Sequence, residues 1–340
     1  MTTLVKPKLF NEFGSDSFKD QVIINGNPSG IANLNSIRYG WVNPIYREMI
    51  GNTWFPEKVD MTNDRTTIKN LTSHEDEAVD GTLGFLIFLD NYQVANLPNV
   101  AEYVTNPAVR NLLSIQAYQE VIHSAAYQYI LESLRPSMTR DKIYNMWKDD
   151  KILLERNKTL ASIGEEFTEN PSEDGFLKIC LANLVLEGIF FYQGFNFFDQ
   201  LRHRNRLVQT AMQIDYIRKD EFTHVGIFTN IIRELNNPKL IQFAHEIVDA
   251  GVRNEIKWCH HRYGNRILGI SEKSSEDYVK WLGNDRLARI GVPPLWENVE
   301  NPYQYIETSQ MAGGSRKNFF ESAAVTEYDT AESVSGWDKL

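Results

Sequence analysis

The sequence predicts an all-α protein built on long helices, and three observations carry that prediction. Helix-opening signals recur along the chain, each followed by a long stretch free of breakers. Alternating Val, Ile and Thr with two-residue turns, the mark of strands, is missing throughout. Acids and imidazoles recur at helical spacing inside apolar runs, which ties separate helices to one buried site.

Residues 1–36 mix Gly, Asn, Pro and Ser with little periodicity and read as an irregular arm laid over the surface. The texture changes at Ile37, and 37–307 reads as the helical domain. Ser73, ahead of His74 and the acidic run Glu75-Asp76-Glu77, is expected to cap a helix running through "LGFLIFLDNYQVANL" and holding Asp90, because anionic side chains in a first turn suit the positive helix end. Asn106-Pro107 places an N-cap before a first-turn proline, and no breaker follows until Pro136. One helix of roughly 28 residues, about 40 Å long, is implied. Asn170-Pro171-Ser172-Glu173 repeats the device with Glu173 at the third helical position, opening a helix that carries "LANLVLEGIFFYQGFNFF". Another helix is expected between Arg206 and Asn236, and one or two more between Pro238 and Gly291. Residues 308–340 include Gly313-Gly314 and lack a sustained apolar stripe, so they read as a flexible tail.

Composition narrows the function. The 35 basic and 45 acidic residues leave a net charge of −10 with no Lys/Arg cluster, which argues against a nucleic-acid partner. Two cysteines, Cys180 and Cys259, cannot build a disulfide framework or a Cys-rich zinc site, and a reduced, cytoplasmic setting is expected. No apolar run approaches the roughly 18 residues of a spanning helix, and no secretory signal opens the chain, so no membrane partner is expected. No Gly-rich phosphate loop is present either.

The acids are the informative feature. Asp90 interrupts "GFLIFLDNYQ", Glu187 interrupts "LANLVLEGIFFY", and Glu120 and Glu221 lie on largely apolar helices, although carboxylates are almost never buried unless paired or metal-bound. Two of them come as Glu-x-x-His: Glu120 with His123, and Glu221 with His224, a spacing that puts both side chains on one helix face. Two such helices plus one carboxylate from each of two others is the ligand set of the ferritin-like dimetal-carboxylate bundle, with Asp90 standing where that set usually has Glu. Oxygen donors with one imidazole per metal suit iron or manganese better than zinc or copper. Two divalent cations would also neutralise the four carboxylates. A single Glu-x-x-His on a helix is ordinarily solvated surface, but the doubled pattern with Asp90 thirty residues before Glu120 and Glu187 thirty-four before Glu221 fits two antiparallel helix pairs. Cys259-His260-His261 lacks further ligands at metal spacing and reads as structural.

Tyr127 lies seven residues after Glu120 and returns to its face. By the same count Phe191 and Phe195 share a face with Glu187, and Ile217 with Glu221. A phenol beside metals in an apolar wall suits one-electron oxidation, while a buried tyrosine that merely bonds Asp90 is the plain alternative.

Five motifs, "NTWFPEKVD", "QEVIHSAAY", "LEGIFFYQGF", "IRKDEFTH" and "NFFESAAVTEY", resemble the small, radical-generating subunit of class I ribonucleotide reductase, from about Ile37 to the C-terminus. The resemblance implies a diiron or dimanganese site that uses oxygen to make a tyrosyl radical, passed to a large subunit that reduces ribonucleotides. Two iron ions are the first expectation; manganese would bring in a flavoprotein activase. On this resemblance Asp90, Glu120 and His123 hold one metal, Glu187, Glu221 and His224 the other, and Tyr127 carries the radical. Asp220 resembles the aspartate that bonds His123 and Trp54, making Trp54 the electron entry. Tyr328 resembles the tail tyrosine that hands the radical across the interface, with Glu321 as a helping acid. A homodimer is implied, docking to the large subunit through the tail. The short stretch before the helices leaves no room for a regulatory nucleotide domain, so allosteric control is expected on the partner. A substrate oxidase on the same bundle and an iron-storage protein are the rivals; neither would need Tyr328 on a mobile tail.

Overall fold

Four long helical segments carry the acids singled out above, three of them opened by a local cap and the fourth by a cap remote in sequence. The structure, a computed structural model, describes residues 3–33 and 35–306. Its helices are α1 (Val42–Gly51), α2 (Thr62–Thr67), α3 (Ser73–Ala101), α4 (Pro107–Leu134), α5 (Ser137–Asp149), α6 (Lys151–Glu169), α7 (Glu173–Val185), α8 (Phe191–His203), α9 (Val208–Leu235), α10 (Leu240–Arg262) and α11 (Glu272–Arg289). Among the described residues there is no strand, only isolated bridges at Thr3–Ser172 and Ile267–Ile270. Tail residues Glu321 and Tyr328, with the whole of 308–340, lie outside the described residues. Residues 3–41 hold one short 3-10 turn, Phe18–Asp20, and are pinned by backbone bonds such as Thr105 N to Ile23 O (2.7 Å).

The cap of α3 is Thr72 and not Ser73: the Thr72 hydroxyl accepts from Glu75 N while the Glu75 carboxylate accepts from Thr72 N, a reciprocal box that needs the three-residue spacing. On α4, Asn106 Oδ1 accepts from Ala108 N and Val109 N, with Pro107 opening the helix as expected. Further along, α7 starts one device later than the sequence suggests. Ser172, not Asn170, is the N-cap, accepting from Gly175 N at 3.1 Å, so Glu173 is the first helical residue. The sequence reading passed over α5 and α6, although Asp150 caps α6 by accepting from Ile152 N and Leu153 N.

No local side chain caps α9. Leu207 before it takes a left-handed conformation (φ 47°), which costs a branched apolar residue some strain, and its side chain is fully buried. Asp64 of α2 supplies the cap instead, accepting from Thr210 N at 2.6 Å and Gln209 N at 3.3 Å. A contact remote in sequence therefore fixes the helix that holds Glu221 and His224.

Between α7 and α8 the helix widens into one π turn, Leu186–Phe190, in which Phe191 N–H bonds Leu186 O. Glu187 sits inside it. Gly188 follows, and its carbonyl accepts from Arg286 Nε (3.0 Å); a Cβ there would meet that nitrogen at 2.5 Å, so glycine lets the buried guanidinium approach. Phe190 in the same turn lies under the buried Arg156 guanidinium, 3.9 Å from its ring centroid, and Arg156 is paired with the buried Glu255 of α10. Every residue from Ile179 to Leu201 is buried. The run-length premise alone is corrected: Glu173–His203 is long and apolar enough to cross a bilayer by composition, and it is apolar because it is the central core helix.

Candidate metal centre

Helices α3, α4 and α9 and the π turn bring the six sequence-predicted ligands together. Asp90, Glu120, His123, Glu187, Glu221 and His224 are all fully buried. Their donor atoms form two groups, each within 4.8 Å: Asp90, Glu120, His123 and Glu221 in one, and Glu120, Glu187, Glu221 and His224 in the other. Glu120 and Glu221 belong to both. That sharing was not legible from spacing, because it depends on how far apart α4 and α9 pack.

The two imidazoles present the same nitrogen to the carboxylates. His123 Nδ1 lies 3.1 Å from Asp90 Oδ1, 3.3 Å from Glu120 Oε2 and 3.2 Å from Glu221 Oε1. His224 Nδ1 lies 2.8 Å from Glu221 Oε2, 3.3 Å from Glu120 Oε1 and 3.6 Å from Glu187 Oε2. Each carboxylate keeps one oxygen without a hydrogen-bond partner: Asp90 Oδ2, Glu120 Oε2, Glu187 Oε2 and Glu221 Oε1. Four buried acids with an orphan oxygen apiece, facing two Nδ1 atoms, fit a pair of hard divalent cations.

The titration directions follow from burying acids and imidazoles together. Burial lifts Asp90 well above the usual carboxylate range, helped by the charge of Glu120. Burial does the same to Glu221, aided by Glu187 and Glu120. For His123 burial would lower the value, but hydrogen bonds to Asp220, Asp90, Glu120 and Glu221 outweigh it and raise it well above the ordinary imidazole value. His224 is raised likewise, burial being outweighed by Glu221 and Glu120. Glu187 alone is lowered: burial is overcome by hydrogen bonds within the site and from Gln93. Gln93 and Gln116 both donate to Glu187 Oε1, Gln116 at 2.8 Å. Asn96 then links Gln93 to Asn183 through two 3.0 Å bonds.

Tyr127 is fully buried, its hydroxyl beside Asp90 without a well-formed hydrogen bond, and burial, then the charges of Asp90, Glu221 and Glu120, push its phenol well above its ordinary value. Phe191, Phe195 and Ile217 are fully buried, the two rings stacked at 5.9 Å. The α-helical count from Glu187 to the two phenylalanines does not run through the π turn unchanged; they are buried because the whole segment is. Asp220 Oδ2 accepts from His123 Nε2 and from Trp54 Nε1, each at 3.0 Å. The Trp54 ring stacks on His123 (6.4 Å) and on the half-buried Tyr216 (5.2 Å). Sequence reasoning missed Gln93, Gln116 and Gln119, although each sits one, three or four residues from a ligand on a helix with few other amides facing inward.

Histidines of the "CHHRYG" stretch serve structure: His260 bonds Glu272 O and His261 bonds Asp150, while Cys259 is a buried thiol beside Glu255.

A helical core that gathers two Glu-x-x-His units and two further carboxylates defines a dimetal-carboxylate protein of the ferritin-like class. A family model described as ribonucleotide reductase, small chain, matches residues 31–302. The chain belongs to that family, the small subunits of class I ribonucleotide reductase. Ribonucleoside-diphosphate reductase subunit beta of Treponema pallidum is 36% identical over 331 residues, covering 94% of each chain. The ribonucleotide reductase R2 subunit from Clostridium botulinum is 39% identical with a TM-score of 0.86, covering 90% of this chain and 99% of that one. Dimanganese(II)-NrdF of Streptococcus sanguinis, 19% identical with a TM-score of 0.71 over 81% of this chain and 98% of that one, shares the fold. The chain is thus an oxidoreductase subunit that works with a large subunit, in preference to a free-standing oxidase or an iron store.

Proposed function

We propose that the chain generates and stores a tyrosyl radical on Tyr127 for ribonucleoside-diphosphate reduction by the large subunit. The observation that carries this is the fully buried set of four carboxylates and two imidazoles with a buried phenol beside Asp90. Asp90, Glu120 and His123 would hold one cation and Glu187, Glu221 and His224 the other, with Glu120 and Glu221 belonging to both groups of donors. The pair of metals, iron first and manganese as the alternative with a flavoprotein activase, supplies the oxidising equivalent from oxygen.

Tyr127 loses one electron and its phenolic proton. The phenol is neutral before oxidation, so its proton leaves with the electron, toward Asp90, the carboxylate whose charge acts on it most. Buried Phe191, Phe195 and Ile217 keep water and reductants from the radical. Trp54 delivers electrons through the Asp220–His123 hydrogen bonds, which fix the indole against the site. Tyr328, assisted by Glu321, carries the radical to the large subunit, and the tail 308–340 docks there with Trp337 and Leu340 as apolar anchors. A cytoplasmic place suits two free cysteines.

Loading with Fe(II) or Mn(II) in air tests this reading. A tyrosyl electron paramagnetic resonance signal is expected with one metal, and turnover with the large subunit. Tyr328→Phe should keep the signal and lose turnover; normal ribonucleotide reduction by that variant removes the relay role.

A homodimer completes the reading. One face of α4 leaves Tyr118 and Val121 about half exposed, with Ile115 and Ile122 beside them, an apolar stripe suited to a self-complementary two-fold contact. Sedimentation should give twice the 39.3 kDa chain mass, and Tyr118→Glu with Val121→Glu should halve it. A wild-type chain that sediments as a monomer at micromolar concentration contradicts this.

A further inference from the structure

Asp220 touches His123 directly, but its other oxygen is also engaged. Gln119, buried on α4 immediately before Glu120, donates from Nε2 to Asp220 Oδ1 at 3.0 Å. Its Oε1 lies 3.0 Å from His224 Nε2. A weaker bond from Nε2 to Met49 O (3.3 Å) in α1 fixes the amide plane.

We propose that Gln119 is a positioning residue that ties His224 to Asp220, so that one carboxylate orients the imidazoles of both cation positions. The proposal rests on the dimetal reading above. An ionised carboxylate only accepts hydrogen bonds, so the NH2 end of Gln119 must face Asp220 and the amide oxygen must face His224. With a cation bound, His224 would then keep its proton on Nε2 and offer Nδ1, the nitrogen that faces Glu120, Glu187 and Glu221. His123, donating from Nε2 to Asp220 Oδ2, is held in the same tautomer with Nδ1 toward Asp90, Glu120 and Glu221. A partner of this kind, one step beyond the ligand, fixes both ring orientation and tautomer. Gln119 extends that control to the second ring without adding a second charge.

The proposal makes a claim about distance. Asp220 does not touch His224, yet Asp220→Asn should weaken the His224 position. The asparagine Oδ1 can still accept from His123 and Trp54, while its Nδ2 now faces Gln119. The amide must turn over, presenting N–H to His224 Nε2 and disfavouring the ligating tautomer. Gln119→Met, nearly isosteric and without an amide, should weaken the same position.

Anaerobic Mn(II) titration, with free Mn(II) read by electron paramagnetic resonance, measures the two affinities. Anomalous scattering from crystals at limiting Mn(II) shows which position fills. Each variant should lose roughly 10- to 100-fold at the His224 side, keep the His123 side closer to wild type, and show no further loss when combined. An unchanged His224 position in Asp220→Asn, equal losses at both positions in Gln119→Met, or fully additive losses would overturn the proposal. Should Gln119→Met fail to fold, Asp220→Asn alone decides, since it preserves shape. A wild-type chain that fails to bind two Mn(II) would instead sink the dimetal reading itself.

Discussion

Glu221→Ala should empty both cation positions, whereas Asp90→Ala should leave one metal bound per chain. The difference follows from geometry: Glu221 supplies an oxygen to each group of donors and Asp90 to only one. The consequence extends to stability, with opposite signs in the two states. Metal-free wild type buries four acids around two imidazoles, and burial pushes Glu221 well above the carboxylate range, so the folded chain carries a cost there. Removing Glu221 relieves part of that repulsion, and the metal-free variant should unfold at a temperature equal to or above that of metal-free wild type. Adding metal should then separate them. A ligand that binds only the folded chain contributes about 4 kcal/mol when free metal is about 1,000 times its dissociation constant. Wild type gains a stabilisation of that order, and Glu221→Ala should gain little. Metal analysis after gel filtration and thermal melts with and without Mn(II) check both halves. Two metals retained by Glu221→Ala, or Asp90→Ala losing both as completely, would end the shared-ligand assignment.

How much of this could be read in advance differs from residue to residue. Asp90, Glu120, His123, Glu187, Glu221 and His224 stood out because an unpaired carboxylate inside an apolar helix is costly, and cost is visible in sequence. The α4 boundaries were equally legible, since Asn106-Pro107 leaves a helix few other places to begin. Thr72 and Ser73 are adjacent hydroxyls, and only the Glu75 carboxylate, three residues from Thr72, selects between them. The π turn at Glu187 left no trace, because every residue from Ile179 to Leu201 is buried and such a helix has no phase to read. The double use of Glu120 and Glu221 is a property of the gap between α4 and α9, which local pattern does not encode. Asp64 capping α9 from 146 residues away belongs to the same kind. Gln119 was within reach: an amide beside a ligand, in a helix whose inward face has few polar side chains, needs a partner for each end.

Tyr127→Phe should leave the fold and both metals in place, abolish the tyrosyl radical, and reduce turnover with the large subunit to the background rate. The substitution removes one oxygen and nothing else. That hydroxyl is buried beside Asp90 without a well-formed hydrogen bond, so its loss should cost the metal-free fold little. Metal uptake should be unchanged, because the carboxylates and imidazoles of the two donor groups are all retained. What phenylalanine cannot do is release a proton with its electron. In wild type the neutral phenol is held by burial and by the charges of Asp90, Glu221 and Glu120, so electron loss that also discharges the proton toward Asp90 avoids a buried cation. The phenylalanine ring offers no such exit, and the electron should then come from another aromatic group such as Trp54, whose ring stacks against His123, or from no side chain at all. Freeze-quenched electron paramagnetic resonance of the Fe(II)- or Mn(II)-loaded variant after oxygen addition distinguishes these fates. A short-lived signal from a residue other than Tyr127 fits the Trp54 route. A long-lived tyrosyl radical of unchanged line shape and yield in Tyr127→Phe would move the radical to a different tyrosine, and Tyr127 would then be a buried neighbour of Asp90 with no part in the chemistry.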